Sequence, residues 1–170
     1  MSSPPRRALV PGSSLARRRL AILAVAAVVV ALDQLSKTWA LHHAGEPRHV
    51  VWTLRLYLTF NKGAAFGVGG GESAVLVGGA IILVVLIAGL GRRASRQARW
   101  PAVVAMGLLL GGAVGNLVDR LVRHDHGAVI DFIDLRWWPV FNLADSCITI
   151  GALLLVLDGL RRRPAPSMPS

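Results

Sequence analysis

The sequence predicts an all-α membrane protein: four transmembrane helices with a small β-containing extracytoplasmic loop. Three observations predict it. The chain divides into four apolar segments, each near the roughly 20 residues a spanning helix needs. Arginines gather in short clusters beside those segments. One connection alternates apolar and polar residues instead. Of the 170 residues, 54% are hydrophobic and 16% charged, a balance that excludes an ordinary soluble domain.

Residues 1–16 read as a disordered basic tail rich in Pro and Ser. The first apolar segment runs about 20–41: Leu20 to Leu32 is uninterrupted, then Asp33, Gln34 and Lys37 appear. The others run about 73–90, 101–118 and 140–160, and residues 164–170 form a second disordered tail. Helices are expected in the segments because lipid offers no partners for backbone polar groups. Arg17 to Arg19, the four arginines between Arg92 and Arg99, and Arg161 to Arg163 fall on one side of a four-span bundle. By the positive-inside rule that side is cytoplasmic, with both termini there. Reading the first segment as a cleavable signal peptide would leave three spans and break this alternation. The net charge of +10 lies in these flanks, which speaks against a nucleic-acid partner.

The first outward connection carries the β signal. Trp52, Leu54, Leu56, Leu58 and Phe60 alternate with Thr53, Arg55, Tyr57 and Thr59, the pattern of a half-buried strand. Glycines from Gly63 to Gly71 follow, suited to close backbone approach. Such a strand either closes the bundle or holds an extended peptide along its edge.

The chemistry lies in carboxylates at the ends of apolar runs. Asp131 stands in Val-Ile-Asp-Phe-Ile, Asp145 in Phe-Asn-Leu-Ala-Asp and Asp119 in Gly-Asn-Leu-Val-Asp-Arg, all at the outward side. A carboxylate at the bilayer centre costs roughly 2.5 kcal/mol or more, so several at one depth point to use. Trp137 and Trp138, between Asp131 and Asp145, favour the membrane interface. Two carboxylates meeting there share a proton, one ionised to activate water and one protonated to bind a carbonyl. Asn116 and Asn142 offer amide donors and acceptors at the same depth.

Other polar residues read as structural. Asp33 and Lys37 have the i, i+4 spacing of an ion pair. Asp119 is as well placed to pair at a helix end as to act in the site. Asp125 and Asp134 are expected in solvated loops, and Asp158 at the surface beside the last arginines. His124, Asp125 and His126 are too short a fragment to carry a metal site. Cys147, the one cysteine, and Ser146 have no base in a recognisable pattern and read as packing residues. Gly111, Gly112 and Gly115 offer a small-residue face for close helix packing.

Five blocks in order carry a resemblance. They are Asp33-Gln34-Leu35-Ser36-Lys37, Asn61-Lys62-Gly63-Ala64-Ala65-Phe66, the stretch from Gly111 to Arg120, Val129-Ile130-Asp131-Phe132-Ile133, and the stretch from Phe141 to Ser146. Through them the chain resembles the lipoprotein signal peptidases, or signal peptidase II. The resemblance implies a four-helix peptidase domain over 17–163 in the bacterial inner membrane. It implies an aspartic endopeptidase that cuts diacylglyceryl-modified prolipoproteins just before the lipidated cysteine. The catalytic pair falls on Asp131 and Asp145. Supporting residues fall on Asp33, Asn61, Asn116, Asp119, Arg120 and Asn142. No metal or cofactor is implied; membrane lipids are partners, globomycin-type cyclic peptides inhibit, and a monomer suffices. The stretch between Asp131 and Asp145 is short beside better-known members. A small ion or proton transporter subunit predicts carboxylates spread through the membrane and an internal repeat, neither of which is seen. A non-catalytic scaffold is disfavoured by the intact motifs.

Overall fold

A computed structural model describes residues 12–62, 99–123 and 127–161. The apolar segment 73–90, the glycines after Lys62, His124 to His126 and the C-terminal tail lie outside the described residues. The described chain runs α1 (Gly12–His43), β1 (Arg48–Val51), β2 (Leu54–Asn61), α2 (Trp100–Val122), β3 (Val129–Asp134) and α3 (Leu143–Leu160). Residues 12–16, expected in a disordered tail, begin α1 instead. Ser, Leu, Ala and Arg after Pro11 all tolerate a helix, and no proline interrupts them.

The helices α2 and α3 are each long and apolar enough to cross a membrane. Over half of α2 is buried against its neighbours, against about a fifth of α3, so α2 is the central helix and α3 shows most of its surface outward. Small residues allow this closeness. A Cβ on Gly112 would lie 2.5 Å from the Ala144 carbonyl oxygen, and one on Gly111 2.6 Å from the Val29 Cβ. The two adjacent glycines thus seat α3 and α1 on neighbouring faces of α2, where the helices approach too closely for any side chain. At one end of the bundle Ile22, Ala102, Val103 and Met106 form an apolar core.

The other end carries an antiparallel three-stranded sheet in the order β1-β2-β3. It joins two connections that the sequence kept apart: β3, read only as a short apolar stretch, pairs with β2 so that Thr59 faces Asp131 and Asn61 faces Val129. The predicted alternation over Trp52 to Phe60 holds for Leu56 and Leu58, which pack with Ile130, Phe132, Ala40 and Ala44. It fails at Trp52 and Phe60, which are exposed. The register slips between Leu56 and Thr59, which resets the faces. Leu58 N–H donates to the Ala44 carbonyl at 2.9 Å, fastening the sheet to the end of α1.

The fourth predicted segment, 140–160, is shorter as a helix. Phe141 forms a bridge with Ile133 on the free side of β3, and α3 starts only at Leu143.

Candidate active site

The site lies where β3 and the start of α3 meet the centre of α2 and the last third of α1. Asn142 caps α3. Its side-chain oxygen accepts from Asp145 N–H at 2.9 Å, while Asp145 Oδ2 accepts from Asn142 N–H at 3.2 Å. This reciprocal pair is a capping box, which satisfies two helix-end donors and sets the carboxylate of Asp145 at the start of its helix. With its oxygen so engaged, Asn142 turns its NH2 inward. That NH2 donates to Asp131 Oδ1 at 2.7 Å, to Asn116 Oδ1 at 3.1 Å and to the Ile130 carbonyl at 3.2 Å. One amide therefore bridges Asp131 on β3 and Asp145 on α3.

Two further amides complete the hold. Asn61 Nδ2 donates to Asp131 Oδ2 at 3.0 Å, a contact set by the β2–β3 register. Asn116 Nδ2 donates to Asp145 Oδ1 at 2.8 Å from α2. Asp131 is 1% exposed. Burial pushes its carboxyl up to about 6, and the charge of Asp145 adds to the rise against the hydrogen bonds from Asn61 and Asn142.

Asp145 is half-buried and opens on a groove of about 370 Å³ lined by Trp137, Trp138, Phe141 and Ile150. Both tryptophans are largely exposed.

Behind the pair sits a second cluster, this one fully charged. Lys37 Nζ contacts Asp33 Oδ2 at 2.8 Å, Asp119 Oδ2 at 2.7 Å and Asn116 Oδ1 at 2.9 Å, and all three charged residues are 0% exposed. The i, i+4 pair expected of Asp33 and Lys37 is present, but it extends to α2. Asp33 Oδ1 also accepts from Ala144 N–H at 3.0 Å, and Asp119 Oδ2 from Ile130 N–H at 3.2 Å. A Cβ at Gly115 would meet Asp33 Oδ2 at 2.6 Å, so that glycine leaves room for the carboxylate. Asp119 is thus neither a helix cap nor a surface charge: it ties α1, α2 and β3 together. Gln34 Nε2 joins it at 3.0 Å, and Arg123 Nε at 3.2 Å.

The sequence-predicted residues Asp33, Asn61, Asn116, Asp119, Asp131, Asn142 and Asp145 all fall in this connected network. Arg120 touches it through the Asn116 carbonyl, at 3.3 Å. Lys37 as hub, Gln34 and Arg123 were missed as members. The signal for Lys37 was available: a lysine inside an apolar run needs acceptors wherever it points.

Two expectations are corrected. Asp134 is buried rather than solvated. Its carboxylate pairs with Arg55 across the sheet and accepts from Arg136 N–H at 2.6 Å, and these contacts hold it below the usual carboxylate range, the backbone bond most. Asp158 is also buried, 4.0 Å from Arg99 at the start of α2, because α3 turns that face onto the bundle. Ser146 Oγ donates to the Asn142 carbonyl at 3.1 Å, and Cys147 is half-buried in α3.

Over residues 25–161 the chain matches the family described as Signal peptidase (SPase) II. It is 42% identical over 148 residues to the lipoprotein signal peptidase of Rhodococcus jostii (strain RHA1), covering 83% of this chain and 73% of that one. It is 43% identical over 142 residues to that of Syntrophomonas wolfei, covering 79% and 91%. A solved bacterial membrane enzyme, determined by the in meso method at 1.9 Å resolution, superposes with a TM-score of 0.73 at 29% identity, covering 84% of this chain and 94% of that one. By these matches the chain belongs to the signal peptidase II family.

Proposed function

We propose that Asp131 and Asp145 are the catalytic pair of an aspartic peptidase that removes signal peptides from lipoproteins. Family membership gives the reaction class. The observation that carries the assignment is that Asn142 holds both carboxylates, Asp131 through its side-chain NH2 and Asp145 through its backbone N–H, while no cation contacts either of them among the described residues.

In this reading Asp145 is ionised and Asp131 carries the shared proton, in keeping with the deeper burial of Asp131. Asp145 takes a proton from water as the oxygen attacks the scissile carbonyl carbon. Asp131 donates its proton to the carbonyl oxygen, giving a neutral tetrahedral diol. The proton now on Asp145 passes to the leaving nitrogen, the diol returns one proton to Asp131, and the C–N bond breaks. The peptide ends in a new carboxyl and an amine, and the pair regains its starting state. Asn61, Asn116 and Asn142 fix the carboxylates; Asp33, Asp119 and Arg120 support them.

The substrates are diacylglyceryl-modified prolipoproteins, cut just before the lipidated cysteine. The apolar groove beside Asp145 supplies room for the apolar part of such a substrate. Residues 73–90 form a fourth span in this reading, which the arginine clusters on one side support. That arrangement puts both termini in the cytoplasm and the site near the outer face of the inner membrane, where Trp137 and Trp138 suit the interface. One chain supplies both carboxylates, so a monomer suffices, and a cyclic peptide of the globomycin type would block the site by occupying it. No step calls for a metal or cofactor.

The test is cleavage of a diacylglyceryl-modified prolipoprotein peptide by wild type, Asp131→Asn and Asp145→Asn, with the unlipidated peptide as control. Lipid-dependent cleavage by wild type is expected, with each variant reduced by about 10³-fold or more. A variant that keeps near-native turnover removes its aspartate from the pair.

A further inference from the structure

The buried ammonium of Lys37 does more than balance two carboxylates. Its third contact is to a neutral amide, Asn116 Oδ1, at 2.9 Å. An ammonium has three donors and no acceptor, so a carboxamide can approach it only with its oxygen. With the oxygen committed there, the NH2 of Asn116 is left to face Asp145 Oδ1, at 2.8 Å. Asn142 also donates to Asn116 Oδ1, at 3.1 Å, but the same NH2 has Asp131 Oδ1 at 2.7 Å and the Ile130 carbonyl at 3.2 Å. Two hydrogens serve three acceptors, so Asn142 can release Asn116 without loss. Lys37 cannot: buried at 0% exposure, it has no water to turn to.

From this geometry we infer that Lys37 is a positioning residue for the reaction, locking the Asn116 amide so that Asp145 always meets a donor and serves as the base of the pair. The inference rests on the assignment of Asp145 as catalytic. An unlocked amide would turn its oxygen toward Asp145 whenever that carboxyl carries a proton, and so hold the proton where turnover needs it released. The path of hydrogen bonds from Lys37 to the Asp145 carboxylate itself runs through Asn116, whereas its path through Asp33 ends on the backbone N–H of Ala144, which separates this role from simple charge balance.

The experiment is a double-mutant cycle on kcat. Lys37→Met alone strands two buried carboxylates, so the cycle is run in an Asp33→Asn background, which keeps the cluster's charge in balance. Lys37→Met and Asn116→Ala are introduced singly and together, melting in detergent is recorded for each, and cleavage of the lipidated peptide is followed. With the amide in place, Lys37→Met is expected to lower kcat about 10- to 100-fold, the scale of one hydrogen bond to a charged group, with KM little changed. With Asn116→Ala present, the same change is expected to cost less than about twofold, since the amide it acts on is gone. Equal losses in both backgrounds would overturn the inference and leave a direct charge effect of Lys37. Parallel rises in KM and falls in melting temperature would overturn it in favour of a purely structural role. If the balanced variant does not melt as a folded protein, Lys37→Gln, which retains a donor toward the carboxylates, is read in the same cycle. Retained cleavage by Asp145→Asn would instead strike the catalytic assignment itself, so the two failures are distinguishable.

Discussion

Two clusters of buried carboxylates lie side by side in this protein, and they are held in opposite ways. Asp33 and Asp119 close on a lysine, with Arg123 beside Asp119. Asp131 and Asp145 are held by the amides of Asn61, Asn116 and Asn142. A cation satisfies a buried carboxylate fully and so ends its chemistry. An amide orients a carboxylate but leaves its charge unbalanced and its proton exchangeable. The chain thus separates the acids that fasten helices from the acids proposed to react, and Asn116 is the side chain that touches both Lys37 and Asp145.

The comparison predicts unlike responses to neutralising each cluster. Lys37→Met, without compensation, is expected to destabilise the protein by about 3–5 kcal/mol, the scale of a buried ion pair that loses one partner. A sharp drop in detergent melting temperature and in yield would register it. Asp131→Asn is expected to gain on wild type as the pH rises. Its carboxyl lies at about 6, above the ordinary carboxylate range, so the folded protein favours the protonated form. The stability this lends is complete below about pH 4 and is lost as the pH climbs through 6. Between pH 4 and pH 8 the stability of Asp131→Asn relative to wild type should therefore rise by up to about 3 kcal/mol, above a pH-independent loss from the donor that Asn61 or Asn142 then faces. A gain independent of pH would place its origin elsewhere.

The same value gives the expected pH profile. A pair that needs one proton loses activity once the second carboxylate ionises, so kcat/KM should decline above about pH 6. Apparent values of this kind belong to the pair rather than to either member. The Asn61 hydrogen bond favours ionised Asp131, so Asn61→Ala should move that decline upward by about one pH unit. A downward shift would contradict the direction of that bond. The smallest effect is expected at Arg55, whose side chain is 30% exposed and whose partner Asp134 lies outside both clusters. Arg55→Gln should lower stability slightly and leave kcat unaltered, because Asp134 keeps the Arg136 N–H.

What the sequence revealed follows from what acts locally. Uninterrupted apolar runs marked the helices, and i, i+4 spacing marked the Asp33–Lys37 pair. The carboxylates of the site were legible because charge beside an apolar run is costly without a purpose. The strand around Asp131 was not legible. Val129 to Phe132 are buried on both faces, which erases the alternation that betrays a strand. Asp134 and Asp158 looked solvated because their partners, Arg55 and Arg99, are remote in sequence and unmarked by any pattern. The start of α3 was readable after all: Asn142 with Asp145 three residues on is a helix-start signature, hidden by the apolar Val140 and Phe141 before it.

That signature has a consequence for how the enzyme is dissected. In the proposed mechanism Asp145 is a rivet as well as a reagent, since the oxygen that accepts from Asn142 N–H pins the first turn of α3. Removing the side chain outright unpins the turn and silences the chemistry in one stroke, so a scan with alanine would credit catalysis with a loss that belongs partly to the frame. Asparagine can keep its oxygen on the Asn142 N–H, and so spares the rivet while it withdraws the reagent and the acceptor that Asn116 meets.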